Sequence, residues 1–393
     1  MNKKNLLILV EIPLNKRDYD RFGIEILKKY FNVKVFDFTG LINPAFLKEY
    51  VKVNFDFDGY YAIDSLATFL KNLDRQSIAI DYLGDSCNAI YIRKQLNNHH
   101  IRRTLVRCGL IPQPVGIRKI RRLFLQDELI RRIMRKILNP MKKLLREEVG
   151  KPDIVILSGK SGLADKKIQG ALNYVLTHSF DYDEYLKNTT AINCNKEKYA
   201  LYIDSDLVFH QEYMLNSEEK TVVTEDIYFP SINNFFDKFE KITGMRVIIA
   251  AHPRSYYELR PNAYGNRDLI IGKTAQLIRD SSLVMTMQST AISYAVLWEK
   301  PLIFLNSDEY DQTDHREFMF TFAEKTKSYI LNINTFEDAE IKNISNIKVN
   351  KPAYSSYKDL YIKYPGTPDL SIWEIFSDYI YKNGSNNMSN KDL

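Results

Sequence analysis

Two short polar runs carry most of the chemistry this sequence can offer. His252-Pro253-Arg254 ends the apolar run Val247 to Ala251, and Ser289-Thr290 stands 37 residues further on, after the apolar run Leu283 to Met287 and Gln288. Hydroxyls close to a histidine and an arginine are donors suited to phosphate oxygens. A turn into a helix adds free backbone N–H groups and the positive end of the helix dipole. Ser289 and Thr290 occupy the N-cap position of a helix predicted over Ala291 to Trp298. Between the two runs lies Gly272-Lys273-Thr274, read as a glycine for close backbone approach, a lysine for a phosphate or base contact, and a threonine capping a helix from Ala275 to Asp280. It is not a P-loop, because Arg267 stands where that motif needs its first glycine.

Carboxylates are the second group. Asp-x-Asp triplets occur at Asp18/Asp20, Asp56/Asp58, Asp181/Asp183 and Asp204/Asp206. Such a pair can hold a divalent cation on a diphosphate, but in so aspartate-rich a chain the pattern arises by chance, and no metal is expected. Asp204-Ser205-Asp206 alone follows a buried strand of the second half, where it can line a ligand cleft.

The elements that must position these residues alternate. Strands are predicted at Leu6 to Val10, Val33 to Phe36, Asp58 to Ala62, Ser77 to Tyr82, Asp153 to Leu157 and Tyr174 to His178. Helices are predicted at about Arg21 to Tyr30, Ser65 to Asn72 and Lys166 to Asn173, with a basic helical insertion over about 89–148. After a polar linker, 186–198, a fresh strand at Tyr199 to Ile203 opens a second alternating unit. The block from Val247 to Leu305 then reads as β-α-β with hydroxyls at the switch. The expected organisation is an α/β chain of two Rossmann-like, doubly wound domains. The first covers 1–185 and the second 199–345, followed by a closing segment over 346–382 that carries an aromatic amphipathic helix, and by a tail over 383–393 expected to be disordered.

Composition sets the class. A chain of 393 residues, 45% hydrophobic, with 26 Tyr and 21 Phe against 15 Gly, buries substantial cores and is neither disordered nor fibrous. Cys87, Cys108 and Cys194 have no metal spacing and do not form a secreted disulfide framework, so a reducing cytoplasm is expected. No apolar stretch approaches the roughly 20 residues of a membrane span. Net charge is +6, yet Ile117 to Lys151 alone carries twelve Lys or Arg against four Asp or Glu. With apolar residues at helical spacing, this stretch suits peripheral contact with the inner face of an anionic membrane. Nucleic acid is not expected as a partner, since no reader motif accompanies the charge.

Two α/β units in tandem, with polar loops at the strand ends of the second, resemble the GT-B glycosyltransferases, whose two domains face each other across a cleft. His252-Pro253 followed by Ser289-Thr290 is similar to the HP and Ser-Ser/Thr motifs of bacterial sialyltransferases and Kdo-type transferases, and the wider block (FPSINNFFDKF, IIAAHPRS, GKTAQLI, STAISYAVLWEKPLIFLNSDE) looks like bacterial surface-carbohydrate biosynthesis proteins. The resemblance spans roughly residues 199–310 and rests on architecture alone before that.

It implies a transferase that moves a sugar from a nucleotide donor, in the sharper version a CMP-linked nonulosonic or Kdo-like sugar, to a glycan or lipid-linked acceptor. His252, Pro253, Arg254, Gly272, Lys273, Thr274, Ser289 and Thr290 would bind the donor without a metal or other cofactor, and the last helix would pack back across both domains. The leaving group is then a nucleotide phosphate whose charge grows in the transition state, which preorganised donors stabilise. Sugar transfer also needs a base for the acceptor hydroxyl. The sialyltransferase acidic motif has no clean copy here. Asp85, in Leu83-Gly84-Asp85-Ser86, is the favoured catalytic partner of His252, with Glu11 and Asp56-Phe57-Asp58-Gly59 behind it. Alternatives are a glycerophosphotransferase or UDP-sugar enzyme on the same fold, or a non-catalytic nucleotide-sugar-binding scaffold protein.

Overall fold

A computed structural model describes residues 3–44, 57–71, 73–114, 149–166, 168–189, 197–209, 223–253, 255–313 and 315–382. Arg254, Asp56, Cys194, the tail over 383–393 and nearly all of the basic stretch 117–151 lie outside the described residues. The chain divides into two compact units: residues 1–109, 116–180 and 364–393 form the first, and residues 110–115 and 181–363 the second. The change from one unit to the next thus falls at 180–181, inside the helix Phe180–Asn188, whose Tyr182 is buried in the second core.

The first unit holds a seven-stranded parallel sheet: β1 (Asn5–Val10), β2 (Asn32–Asp37), β3 (Tyr60–Ala62), β4 (Ile78–Asp81), β5 (Arg102–Arg107), β6 (Ile154–Leu157) and β7 (Asn173–Leu176), in the order β3-β2-β1-β4-β5-β6-β7. β1 and β6 read as unbroken apolar runs because both faces of a parallel sheet are covered. Two expectations fail here. β5 lies inside the stretch predicted to be helical; its arginines hide the strand pattern, although Arg103 and Thr104 are buried. Among the described residues, none of the helix predicted over Lys166 to Asn173 forms, and the helical turn there is a short 3-10 segment just before it, Lys160–Ala164.

The helix Ile372–Lys382 belongs to this first unit. Its Ile372, Trp373, Phe376 and Ile380 enter the same core as Ile24, Leu27 and Phe31, and the Trp373 indole N–H donates to the Arg21 carbonyl at 3.0 Å. Burying such aromatic and branched side chains contributes about 2 kcal/mol each. Gly23 makes the approach possible: it adopts left-handed backbone (φ 55°), and a Cβ there would overlap the Trp373 ring.

The second unit holds six parallel strands: β8 (Tyr199–Ile203), β9 (Arg246–Ala251), β10 (Leu269–Ile271), β11 (Leu283–Thr286), β12 (Leu302–Asn306) and β13 (Tyr329–Asn332), in the order β10-β9-β8-β11-β12-β13. Counted within each unit, both sheets run 3-2-1-4 and onward, so each is a Rossmann-like, doubly wound sheet with its switch between the first and fourth strands. The helix Glu225–Thr243 packs Phe235, Phe236 and Phe239 into the core. It stops at Gly244, whose left-handed backbone (φ 68°) lets its N–H close on the Glu240 carbonyl. Among the described residues, no helix is long and apolar enough to cross a membrane.

Candidate functional site

Ligands of doubly wound sheets sit beyond the carboxyl ends of the strands, at the switch. In the second sheet the register pairs Ile203 with Ala250, Ala251 with Ile271, and Thr286 with both Ile203 and Phe304. Continuing these rungs past the strand ends brings Gly272, His252, Ser205, Gln288 and Asn306 to one level. The Ser205 hydroxyl donates across the switch to the Gln288 carbonyl, and the Tyr310 hydroxyl donates to Gln288 Oε1 at 2.8 Å. The polar runs His252-Pro253 and Ser289-Thr290 therefore follow the two strands that flank β8, with Asp204-Ser205-Asp206 between them.

The order of side chains along that edge differs from the sequence reading in two places. Ala291, not Ser289 or Thr290, is the N-cap of the helix that follows β11, and this helix covers only Ile292–Leu297. The Ser289 hydroxyl instead accepts the Ala291 N–H at 3.1 Å, one turn earlier, while Thr290 is exposed and lends its carbonyl to Ser293. Likewise Thr274 is the first residue of the helix Thr274–Asp280 and Lys273 its N-cap, with no side-chain capping bond. Gly272, left-handed at φ 78°, has open space where a Cβ would sit, and Lys273 is exposed beside it at the end of the edge strand β10.

His252 is half-buried in a tight turn, its carbonyl taking the Ser255 N–H (3.0 Å) and hydroxyl (2.7 Å); Pro253 is exposed. The loop after β9 presents Tyr256 and Leu259, and β10 ends in Ile271; they are 52%, 75% and 46% exposed. Apolar side chains left open beside a glycine turn and a histidine form a surface on which a flat ring can rest.

The hub of this edge is Asp204, just past β8. One oxygen accepts the Tyr264 hydroxyl (2.8 Å) and the Asp206 N–H (2.9 Å); the other accepts the Tyr257 hydroxyl (2.8 Å) and the His252 N–H (3.4 Å). Four donors from three segments meet on one buried carboxyl. Burial pushes Asp204 above the usual carboxylate range and the four donors oppose it. Burial likewise drives Tyr257 and Tyr264 far up, so both keep the proton they donate.

Asp206 adopts left-handed backbone at φ 50° and is pushed up to about 7 by burial first and by the Asp204 charge second, with Arg260 opposing. The sequence marks Asp204 as an acid just past a buried strand, and the hub it forms is not legible there. Its donors Tyr257 and Tyr264 lie 53 and 60 residues away, and no spacing in the sequence ties them to it.

No family model and no curated protein matches the sequence. Among solved structures the chain is similar to a UDP-N-acetylglucosamine 2-epimerase (13% identity, 100% of both chains covered, TM-score 0.48). It is also similar to a co-structure of Staphylococcus aureus MnaA with UDP (14% identity, 97% of each chain, TM-score 0.48). A third is Acinetobacter baumannii MurG (8% identity, 96% of this chain and 99% of that one, TM-score 0.44).

The first unit has its own switch, between β1 and β4. Glu11, just past β1, accepts the Gly84 N–H on Oε2 at 2.8 Å, and a Cβ on Gly84 would come within 2.6 Å of the other oxygen. Asp85 is exposed in the next position, ahead of Ser86, which caps the helix Cys87–Asn98 by accepting the Ala89 N–H at 3.0 Å. Behind them Arg93 forms a double bond of charge with buried Asp81 (2.7 and 3.1 Å) and donates to the Leu83 and Gly84 carbonyls (2.6 and 2.9 Å). That guanidinium fixes the loop carrying Glu11's partner and Asp85. Among the described residues, no group of three or more His, Cys, Asp or Glu is placed to hold a metal ion.

Proposed function

We propose that the protein is a glycosyltransferase that uses a nucleotide-sugar donor, with the second unit binding the nucleotide and the first the acceptor. The observation that carries the reading is the carboxyl edge of the second sheet. There the Gly272-Lys273 turn and His252 follow β10 and β9 on one side of β8, and Ser289 and Thr290 follow β11 on its other side, with Tyr256, Leu259 and Ile271 exposed on the β9–β10 side. A nucleotide asks for that combination: apolar area for the base, and hydroxyl and N–H donors for the phosphate that departs.

His252, Ser289, Thr290 and Lys273 would stabilise the leaving phosphate without a metal. The sharper form, resting on the similarity of His252-Pro253 and Ser289-Thr290 to sialyltransferase and Kdo-transferase motifs, is a CMP-linked acidic sugar delivered to a surface glycan or glycolipid at the inner face of the cytoplasmic membrane. For the acceptor's proton, the anchored carboxylate of Glu11 is favoured over exposed Asp85, because a base aimed by a fixed N–H loses less orientation on binding.

The test is a thermal-shift panel of CMP, UDP and CDP-glycerol, followed by donor hydrolysis without acceptor. CMP stabilisation and slow CMP release, falling at least a hundredfold in His252→Ala with the fold retained, is the expected result. Stabilisation by UDP or CDP-glycerol and not CMP overturns the donor assignment. Binding with no turnover of any sugar nucleotide turns the protein into a binding module.

A further inference from the structure

A phosphate site at the carboxyl edge of the second sheet meets an electrostatic conflict. Its first loop, Asp204-Ser205-Asp206, carries two carboxyls beside the segment assigned to an anion. Asp204 is accounted for by its four donors. Asp206 is different: it is only 4% exposed, the fold holds it in left-handed backbone, and burial, the Asp204 charge and Arg260 are what act on its carboxyl. It follows Ser205, whose hydroxyl is bonded to the carbonyl of Gln288, the residue before Ser289. The charged groups that act on it are Asp204, just past β8, and Arg260, which is stacked on Phe209, and Asp206 in turn acts on Tyr257 on the 3-10 turn after β9. The His252 loop is tied to the same place through its N–H on Asp204.

Resting on the donor-site reading above, we propose that Asp206 is a phosphate-binding residue that works as the neutral carboxylic acid, donating its O–H to an anionic oxygen of the nucleotide. As a carboxylate in the same place it has nothing to donate and repels the ligand. A buried carboxyl can be kept protonated near neutral pH and used as a donor when its site is dry and a second negative charge stands near. Both conditions hold here, and the Asp206 carboxyl is pushed up to about 7. The nucleotide thus binds together with a proton on the protein, and its affinity falls once pH passes the value at which free Asp206 ionises.

The experiment is calorimetric titration of the full chain with CMP and with UDP from pH 6.5 to 9, on the natural protein and on Asp206→Asn. Asparagine keeps the size, tolerates left-handed backbone and offers an N–H donor at every pH. The ligand's own ionisation is common to both proteins and cancels in the ratio of their dissociation constants. The natural protein is expected to lose about tenfold in affinity between pH 7 and pH 8.5 relative to Asp206→Asn. The variant should bind as tightly as the natural protein at pH 7 and more tightly at pH 8.5. A gain of affinity cannot come from a damaged fold, and circular-dichroism melts of both proteins check that directly. Parallel pH profiles, or weaker binding by the variant at every pH, overturn the role of Asp206 and leave the donor site standing. Absence of binding by either nucleotide at any pH overturns both.

Discussion

Each sheet buries a carboxylate beside the point where its strand order turns, and the two are held by opposite means. In the first unit Asp81 is matched by a full cation: Arg93 closes on both of its oxygens and then spends its remaining donors on the Leu83 and Gly84 carbonyls. In the second unit Asp204 has no cation bonded to it among the described residues. Two tyrosine hydroxyls and two backbone N–H groups do the work. An ion pair cancels charge locally and makes a rigid brace. A cage of neutral donors leaves a net negative charge in a dry place, and that charge acts on the next carboxyl, Asp206. The first edge is built as a fixed platform, the second as an edge whose charge responds to protons.

Breaking the ion pair should produce the largest effect. Arg93→Met leaves Asp81 buried and uncompensated, a change that costs about 3–5 kcal/mol, and it should show as the steepest loss of unfolding free energy in denaturant titrations. Replacing both partners by Arg93→Met with Asp81→Leu should recover much of that loss. If the double variant is no better than the single one, the brace acts through the Leu83 and Gly84 carbonyls and not through charge.

The cage should yield more gradually. Tyr264→Phe removes one of four donors, and a lost hydrogen bond to a charged buried group costs about 1.5–3 kcal/mol. Tyr257→Phe should cost a similar amount, and the double variant more than either, since both bonds end on one carboxyl. Losses as large as that of Arg93→Met would erase the contrast between the two edges.

The effect that is smallest in mild acid, and the one that sharpens the comparison most, is the pH dependence. The folded-state value of Asp206, about 7, lies above the unfolded value, so the native protein binds the extra proton. That contribution favours the folded state at low pH and is lost as pH rises from about 4 to about 7. Asp206→Asn should therefore leave stability nearly unchanged near pH 4, raise it by about 1–2 kcal/mol at pH 5 and by about 4 kcal/mol at most above pH 7, in melts followed by circular dichroism. An equal effect at every pH would remove the proton from the account.

Much of the scaffold was legible because buried parallel strands write themselves as apolar runs. β1, β8, β9, β11 and β12 were each found within a residue or two, and with them the placement of His252 and Ser289 beyond strand ends. β5 was not found, since RRTLVR buries arginine stems where the pattern calls for apolar residues, and β10 was missed because three residues at a sheet edge carry no period.

The errors at the site share one physical origin. Ser289, Thr290 and Thr274 have the residue types of caps, but which residue takes that place depends on the length of the helix that forms, and Ile292–Leu297 is only six residues. Asp204 was visible as an acid after a strand. Its meaning was not, because the hydroxyls that define it arrive from a turn made by the following strand pair.

The return of the chain to its starting unit sets an order of events during synthesis. The first core has a slot beside Gly23, Leu27 and Phe31 that Trp373, Phe376 and Ile380 of the last helix fill. Everything the second unit needs, by contrast, has been made once residue 363 has emerged. The half translated first must therefore wait for residues 372–382 with its aromatic slot uncovered, while the half translated later can complete its core ahead of it. A chain released after any residue between 364 and 371 therefore has what the second unit needs but leaves the first unfinished, with the sticky surface on the older part of the chain.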